Sequence, residues 1–181
     1  DWRLAIFGAI GFGLSTYLII ILGVGHNAKA HAIAYMPIVL AGILLVFQRK
    51  YLLGFIVTAL AMALEIAASH IQMTYYLLFL VLIFGIVQLI EAVKNKEIPH
   101  FLKSVGILVV AVILAVGVNA TSLLATQEYA KHSTRSKSEL TINPDGSPKE
   151  ISTGLSKDYI TEYSYGKSET FNLFIPRFKG G

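Results

Sequence analysis

Long apolar stretches separated by short polar connections dominate the first two thirds of the chain. A bilayer core of about 30 Å requires roughly 20 residues of helix, because every backbone N–H and C=O group must be paired within the segment. Five stretches reach or approach that length, at residues 4–24, 32–47, 51–68, 75–93 and 104–124. The second is the shortest and contains Pro37, which predicts a kink near its start or a helix that begins there. The pattern predicts an all-α integral membrane region over residues 1–124, with about five transmembrane helices.

Residues 125–181 are mostly polar and are predicted to form a tail outside the bilayer, largely irregular with short helices. Asn143-Pro144-Asp145-Gly146 predicts a tight turn, because proline fixes φ and glycine tolerates positive φ. Residues 156–163 predict a short helix with Ser156 as its N-cap. The apolar end of the tail predicts packing on the membrane surface or on a neighbouring domain. It contains Phe171, Leu173, Phe174, Ile175 and Phe178.

The composition agrees with lipid as the main solvent. Hydrophobic residues make up 55% of the 181 residues and charged residues 14%, whereas about a quarter of a soluble domain is charged. The absence of cysteine excludes a disulfide framework and a cysteine-ligated metal. The net charge of +4 comes without a basic run interleaved with aromatic residues, so nucleic acid is not an expected partner. The chain begins at Asp1 and is expected to be a piece of a longer protein, its first stretch a true span rather than a signal peptide.

Lysine and arginine are distributed unevenly among the connections, and this predicts an orientation. They lie before the first stretch, between the second and third, and between the fourth and fifth, as Arg3, Arg49, Lys50, Lys94, Lys96 and Lys103. The opposite connections contain one lysine, Lys29. Since cytoplasmic connections carry the excess of positive charge, we expect a cytoplasmic N-terminus and an extracytoplasmic tail.

A first polar cluster, His26, Asn27, Lys29 and His31, lies between the first two predicted spans. Polar groups at this depth are costly unless they pair or face water. A cation with imidazole donors suits an anionic group such as a lipid phosphate. The simpler interpretation is that these side chains lie at the level of the lipid headgroups without a binding role.

A second polar cluster, Glu65, His70, Gln72 and Tyr75, lies around the connection between the third and fourth spans. A carboxylate in an apolar helix is costly and is a functional hypothesis by default. The alternative is that Glu65 lies near the water interface and pairs with a nearby lysine or histidine. Tyr75 alone is typical of an interfacial aromatic residue.

Both clusters face one side of the predicted topology, so Glu65, His70 and Gln72 are expected to converge with His26 and His31. Histidine with carboxylate ligates zinc or manganese and also performs acid–base chemistry, so a divalent cation is the cofactor that such a cluster would take. However, neither connection has an HExxH motif, and the two histidines of the first cluster are five residues apart. The sequence therefore favours no structural metal.

Three glycines, Gly8, Gly11 and Gly13, lie inside the first stretch. A phosphate-binding loop would need a preceding strand, which this membrane stretch lacks. The glycines instead predict close helix packing.

Several segments carry more information than hydropathy. They are residues 25–37 (GHNAKAHAIAYMP), 69–77 (SHIQMTYYL), 137–141 (KSELT), 154–160 (GLSKDYI) and 165–166 (YG). These segments closely resemble bacterial YfhO-like membrane proteins of the Bacteroidetes type, and the resemblance covers nearly the whole chain. That family is similar to the multi-spanning glycosyltransferases of the GT-C class.

The resemblance implies transfer of a sugar from a polyprenyl-phosphate carrier to an envelope acceptor, on the outer face of the bacterial cytoplasmic (inner) membrane. It implies that the catalytic carboxylate lies in an earlier extracytoplasmic loop, upstream of Asp1. His26, Lys29, His70 and Gln72 would then contact the donor phosphate or the acceptor, with Glu65 in support. Neither polar connection contains an aspartate, so no complete catalytic set is expected in these residues.

Three functional hypotheses remain open at this point. The first is a lipid-linked-sugar glycosyltransferase. This chain would be its middle, substrate-binding membrane portion and would act with the rest of the parent chain. The second is a transporter or flippase in which Glu65 and the histidines form a proton or substrate pathway. The third is a non-enzymatic membrane scaffold whose aromatic tail docks a partner.

Overall fold

The computed structural model describes residues 1–133, 142, 145–148, 157–162, 164, 166–173, 175 and 178. These residues form α-helices, one 3₁₀-helix and an isolated bridge. The α-helices are α1 (Trp2–Gly13), α2 (Thr16–Gly23), α3 (Asn27–Phe47), α4 (Tyr51–Ala67), α5 (Ile71–Lys94), α6 (Ile98–Val118), α7 (Ala120–Ala130) and α8 (Lys157–Thr161). The chain divides into two compact units, Asp1–Ser122 and Leu123–Gly181.

Four apolar helical segments of the described residues are long enough to cross a bilayer. They are Trp2–Gly23, Asn27–Phe47, Ile71–Lys94 and Ile98–Val118. Helix α4 is also apolar but has 17 residues, which give about 26 Å at 1.5 Å per residue. The all-helical class predicted from the sequence is therefore confirmed, and the third predicted span corresponds to this shorter helix.

The helices extend beyond the apolar stretches that predicted them. Helix α3 begins at Asn27 rather than at residue 32, and α5 begins at Ile71 rather than at residue 75. Backbone hydrogen bonding continues through these polar residues, and the amide of Ala30 donates to the carbonyl of His26 over 3.1 Å. Pro37 lies inside α3, so the alternative in which a helix begins at this proline is wrong, and the predicted kink stays a prediction.

The first and last predicted spans also differ from the helices. The first is interrupted between α1 and α2, where Ser15 has an extended backbone (φ −60°, ψ 137°) and its side chain accepts from the amide of Leu18. Serine favours such an N-cap because its hydroxyl oxygen satisfies a free amide of the first turn. The last span ends at Val118, and α7 follows, so the predicted end at residue 124 falls within α7.

Helices α3 and α4 pack closely through small residues. A Cβ atom added at Gly42 would lie 2.7 Å from the backbone nitrogen of Thr58, and one added at Gly54 would lie 2.6 Å from the backbone nitrogen of Val46. Only glycine permits such backbone approach, as is common between membrane helices. On α4 the buried residues are Gly54, Thr58, Ala61 and Glu65, which follow one face at helical spacing.

Among the described residues, no helix packs closely against the glycines of α1. A Cβ atom added at Gly8, Gly11 or Gly13 would have nothing within 4 Å, and no residue of α1 is buried. The glycines that do permit close packing, Gly42 and Gly54, were not singled out in the sequence. The prediction assigned the right role to the wrong helix, because glycine spacing alone does not identify the neighbouring helix.

The register of these two helices determines which connections share an end. Gly42 lies against Thr58, and Val46 lies against Gly54, so α3 and α4 run antiparallel. The α2–α3 turn therefore lies at the same end as the α4–α5 turn. The α3–α4 and α5–α6 turns lie at the opposite end.

The second unit contains most of α7, together with α8, the 3₁₀-helix Lys167–Leu173 and a bridge between Ile142 and Pro148. The bridge encloses the predicted turn, in which Gly146 has φ +82°; Asn143 and Pro144 lie outside the described residues. Helix α8 lies within the predicted residues 156–163, and its predicted cap, Ser156, is outside the described part of the chain.

The described aromatic residues at the end of the tail contact each other. The rings of Phe171 and Phe178 lie 5.4 Å apart, centre to centre, and both side chains are exposed, as is Ile175. Phe174 and the side chain of Leu173 lie outside what the structure describes. The predicted packing of this segment on a membrane or a neighbouring domain stays a prediction.

Candidate functional site

A buried carboxylate lies at the end of α4. Glu65 is 0% exposed, because it continues the buried face of α4 that includes Thr58 and Ala61. Its two carboxylate oxygens each lie 3.0 Å from the hydroxyl of Thr74, in the first turn of α5. The hydroxyl group donates one hydrogen, which the two carboxylate oxygens share, and this hydrogen bond joins α4 to α5 across the turn. The predicted alternative, in which Glu65 pairs with a lysine or a histidine, is therefore not what the described residues contain.

The turn between α4 and α5 is short and contains a residue with positive φ. Ser69 has φ +56°, a conformation that few non-glycine residues adopt, and its hydroxyl donates to the carbonyl of Ala67 over 3.3 Å. His70 is the N-cap residue of α5 without a side-chain capping bond. Its Nδ1 atom is buried and has no hydrogen-bond partner among the described residues. A buried polar atom without a partner is costly, and in this conformation the atom is enclosed by protein.

The other residues of the second cluster lie on the exposed side of α5. The amide Nε2 of Gln72 donates to the hydroxyl of Tyr76 over 2.8 Å. The ring of Tyr75 stacks edge to face on Phe79, with ring centres 4.9 Å apart. The amide and the two tyrosines give the first turns of α5 a band of polar groups beside apolar surface.

The first polar cluster lies in the first turns of α3. His26, Asn27 and His31 are exposed, and Lys29 is half-buried, with its ammonium 6.0 Å from the centre of the Tyr17 ring. The cluster lies at the same end of the α3–α4 pair as Glu65 and His70. No contact joins it to Glu65 among the described residues, and no three of their histidine, aspartate and glutamate side chains gather where they could hold a metal ion.

An apolar cleft of about 790 Å³ opens between α5 and α6, with α3 and α4 beneath it. It extends along α5 from Ile71 to Leu89, a distance of roughly 27 Å at 1.5 Å per residue. Thr74 and Tyr75 line one end, and Phe47 and Phe101 line the other. The hydrogen bond of Thr74 to Glu65 therefore lies at the end of the cleft nearest to His70.

Sequence reasoning missed three polar residues that build this region. Thr74 binds Glu65. Thr58 lines the cleft, and its buried hydroxyl oxygen has no hydrogen-bond partner within the part of the chain that the structure describes. The third is Asn119, whose amide donates to the carbonyls of Ala63 and Ala115 over 3.0 and 2.9 Å. An asparagine at the end of an apolar stretch is a signal of the same kind as Glu65 and could have singled out this residue, though not its partners.

Comparison with protein-family models, with curated proteins and with solved structures finds no match to this chain.

Proposed function

We propose that this chain binds the hydrocarbon part of a lipid-linked anionic substrate in the α5–α6 cleft. It would be the membrane-embedded, substrate-binding portion of a glycosyltransferase-like protein whose donor is a polyprenyl-phosphate-linked sugar and whose acceptor is an envelope molecule. The single observation that carries the proposal is the apolar cleft of about 790 Å³. Small-molecule sites of this size are concave and mostly apolar, with few polar groups at one place.

The shape of the cleft suits an extended chain. Its length of roughly 27 Å at 1.5 Å per residue is close to the bilayer core of about 30 Å. The residues that line it between its ends are leucine, isoleucine, valine and phenylalanine, together with Met62, Thr58 and Gly85, and none of the lining residues is charged. A polyprenyl chain lying along α5 would replace the lipid tails that otherwise fill this space.

The polar end of the cleft suits an anionic group. His70 lies in the turn before Thr74 and Tyr75, and its buried Nδ1 has no hydrogen-bond partner among the described residues. A rotation of its ring would bring this nitrogen to the polar end of the cleft. The cation of Lys29 and the imidazoles of His26 and His31 lie at the same end of the helices. We assign phosphate or acceptor contacts to these residues and to Asn27, Gln72 and Tyr75. Glu65 acts in support, because its bond to Thr74 fixes the turn that holds His70.

In the proposed reaction the acceptor oxygen forms a bond to the anomeric carbon of the sugar. The bond between that carbon and the phosphate oxygen breaks, and polyprenyl phosphate leaves with the electron pair. A general base outside the residues assigned here takes the acceptor proton. Imidazole and ammonium donors would stabilise the charge on the departing phosphate.

The proposal includes a topology. Helix α4 would be the fifth span alongside the four longer segments, with the N-terminus in the cytoplasm and the tail outside. The polar end of the cleft then faces the outer side of the bacterial cytoplasmic membrane. The charge bias of the connections supports this orientation.

Photo-crosslinking tests the binding proposal directly. The chain in lipid nanodiscs would be exposed to a diazirine-bearing polyprenyl phosphate, and the modified residues identified by mass spectrometry. We expect crosslinks on the facing sides of α5 and α6, with loss of crosslinking in Gly85→Leu, since a side chain at this position has open space and fills the cleft. Gly106→Leu is the matched control, because it adds the same side chain to α6 at a position that also has nothing within 4 Å and is not among the lining residues.

Equal crosslinking of both variants, or crosslinks spread evenly over the lipid-facing helices, would contradict a specific cleft. The catalytic part of the proposal needs a separate assay of the full-length protein for sugar transfer from a polyprenyl-phosphate donor. We expect His70→Ala to lower turnover, and unchanged turnover in both His70→Ala and Glu65→Ala would remove these residues from the site.

A second candidate function is transport, and the buried Glu65 is the observation that favours it. A carboxyl group enclosed in a membrane helix is typical of proton and ion pathways. Proteoliposomes that contain the wild-type chain would then show substrate uptake that depends on a proton gradient, and Glu65→Gln would abolish this uptake. If the wild type and Glu65→Gln both bind lipid without a gradient, the result would favour the glycosyltransferase proposal instead.

A further inference from the structure

The end of the membrane unit opposite the α4–α5 turn joins two connections that are distant in sequence. Nη2 of Arg49 lies 2.5 Å from Oε1 of Glu97, and the hydroxyl of Tyr51 lies 2.9 Å from Nδ1 of His100. Nε2 of the same imidazole lies 3.0 Å from the carbonyl oxygen of Phe47. These contacts hold the α3–α4 and α5–α6 turns side by side.

The joined turns concentrate positive charge. Lys50 precedes Tyr51, Lys96 precedes Glu97, and the ammonium of Lys103 lies 4.3 Å from the centre of the Tyr51 ring. Residues 48–51 and 91–103 contain five lysines and arginines against two glutamates. One of these carboxylates, Glu97, is paired with Arg49. The other charged side chains of these residues are four lysines and Glu91, with a net charge of +3, so the lysines form a cationic patch.

The backbone adds to this charge. Helices α4 and α6 both begin here, and their N-cap residues, Lys50 and Glu97, make no side-chain capping hydrogen bond. The first turn of a helix presents free N–H groups and the positive end of the helix dipole. In α6 there are fewer of these N–H groups, because Pro99 in its first turn has none. Two helix starts therefore favour an anion at the same place as the lysines.

Exposed apolar side chains lie next to the cationic patch. Leu52 is 74% exposed and Leu53 53%, two and three residues after Lys50, and Leu102 beside Lys103 is 62% exposed. A free anion would use the lysines and leave the leucines uncovered, whereas a lipid uses both. We propose that Lys50, Lys96 and Lys103 form a binding site for an anionic phospholipid, with its phosphate at the lysines and its acyl chains along Leu52, Leu53 and Leu102. This site does not depend on the proposed function, because it lies at the other end of the helices.

Lipid titration of the purified chain in neutral detergent tests the site. Phosphatidylglycerol, phosphatidylcholine and inorganic phosphate would be added separately, and binding followed by native mass spectrometry together with thermal unfolding. We expect phosphatidylglycerol to bind and to raise the unfolding temperature, and neither phosphatidylcholine nor inorganic phosphate to match it. A lysine near an anionic headgroup contributes about a fivefold change in affinity, so replacing all three lysines by glutamine should weaken binding on the order of a hundredfold.

A matched control removes the same charge elsewhere. Replacement of the exposed Lys131, Lys157 and Lys167 by glutamine changes the net charge equally and should leave phosphatidylglycerol binding unchanged. The single variant Lys96→Gln, expected to lose about fivefold in affinity, covers the case in which the triple variant does not fold.

Three results would overturn the site. One is equal affinity of the wild-type chain for phosphatidylglycerol and phosphatidylcholine. Another is wild-type affinity in both the triple variant and Lys96→Gln. The third is a response to inorganic phosphate equal to that to phosphatidylglycerol, which would identify an anion site without a lipid.

Discussion

The hydroxyl of Thr74 lies 3.0 Å from each carboxylate oxygen of Glu65, and this contact joins the last turn of α4 to the first turn of α5. Thr74→Val keeps the shape of the side chain but removes the donor from a buried carboxyl group. We expect a loss of about 1–3 kcal/mol in the free energy of unfolding, measured by denaturant or thermal unfolding in detergent. Thr74→Ser keeps the hydroxyl and is the control. Equal stability of the valine variant and the wild type would show that this hydrogen bond does not stabilise the turn.

Gly42→Ala should separate α3 from α4. The new Cβ atom would lie 2.7 Å from the backbone nitrogen of Thr58 and also collides with the hydroxyl oxygen of that residue, so the helices must shift. Overpacking of this kind costs about 1–3 kcal/mol. Gly85→Ala has open space at its Cβ and should be neutral or stabilising by about 0.5–1 kcal/mol, because alanine favours helix. The measurement is the thermal unfolding temperature of each variant. Equal unfolding temperatures for Gly42→Ala and Gly85→Ala would contradict the close contact between α3 and α4.

Asn119 should hold the end of α6 against α4. Asn119→Leu removes the hydrogen bonds to the carbonyls of Ala63 and Ala115, and polar contacts between membrane helices contribute about 0.6–1.7 kcal/mol. We expect destabilisation of this size, together with faster hydrogen exchange at the ends of α4 and α6. Asn27→Leu, at an exposed position, is the control. Unchanged hydrogen exchange at the ends of α4 and α6 in Asn119→Leu would show that Asn119 does not hold the two helices together.

The turn at Asp145 should depend on pH. The hydroxyl and the amide of Ser147 donate to Oδ1 of Asp145 over 2.6 and 3.0 Å, and these bonds lower the pKa of this carboxyl group below its usual value. A lowered pKa means that the turn is stabilised above the ordinary carboxyl range and loses that stabilisation as the pH falls through the lowered value. The amide shift of Ser147, followed by NMR in a pH titration, should change at a pH below the usual aspartate pKa. Asp145→Asn should abolish this change. A titration midpoint at the ordinary aspartate pKa would show that the hydrogen bonds from Ser147 do not lower the pKa of Asp145.

Much of the helical architecture follows from hydropathy, because an apolar segment must pair its own backbone groups in lipid. The uneven distribution of Arg49, Lys50, Lys94, Lys96 and Lys103 predicted that the α3–α4 and α5–α6 connections are on the same side of the membrane; that the two turns contact each other was not predicted. The helix ends were less predictable. At Asn27 and Ile71 the helix continues through polar residues, since helical hydrogen bonding does not stop where hydropathy falls.

The candidate site was only partly predictable. Glu65 was identified because a carboxylate in an apolar helix is costly, but its partner, Thr74, was not, because a threonine at a helix start has no distinguishing pattern. His100 was missed for a similar reason. It lies outside the apolar stretches, and its contacts with Tyr51 and Phe47 join residues about fifty positions apart.

The sequence by itself determined that this chain is helical and apolar enough for a membrane, and where its polar connections lie, because these properties depend on neighbouring residues. Only the tertiary structure decided that Gly42 and Gly54, rather than the glycines of α1, permit close helix packing. It also decided that α5 and α6 leave an apolar cleft between them. Both results depend on which helices pack against each other. The free energy of that packing comes from contacts between side chains that are far apart in the sequence.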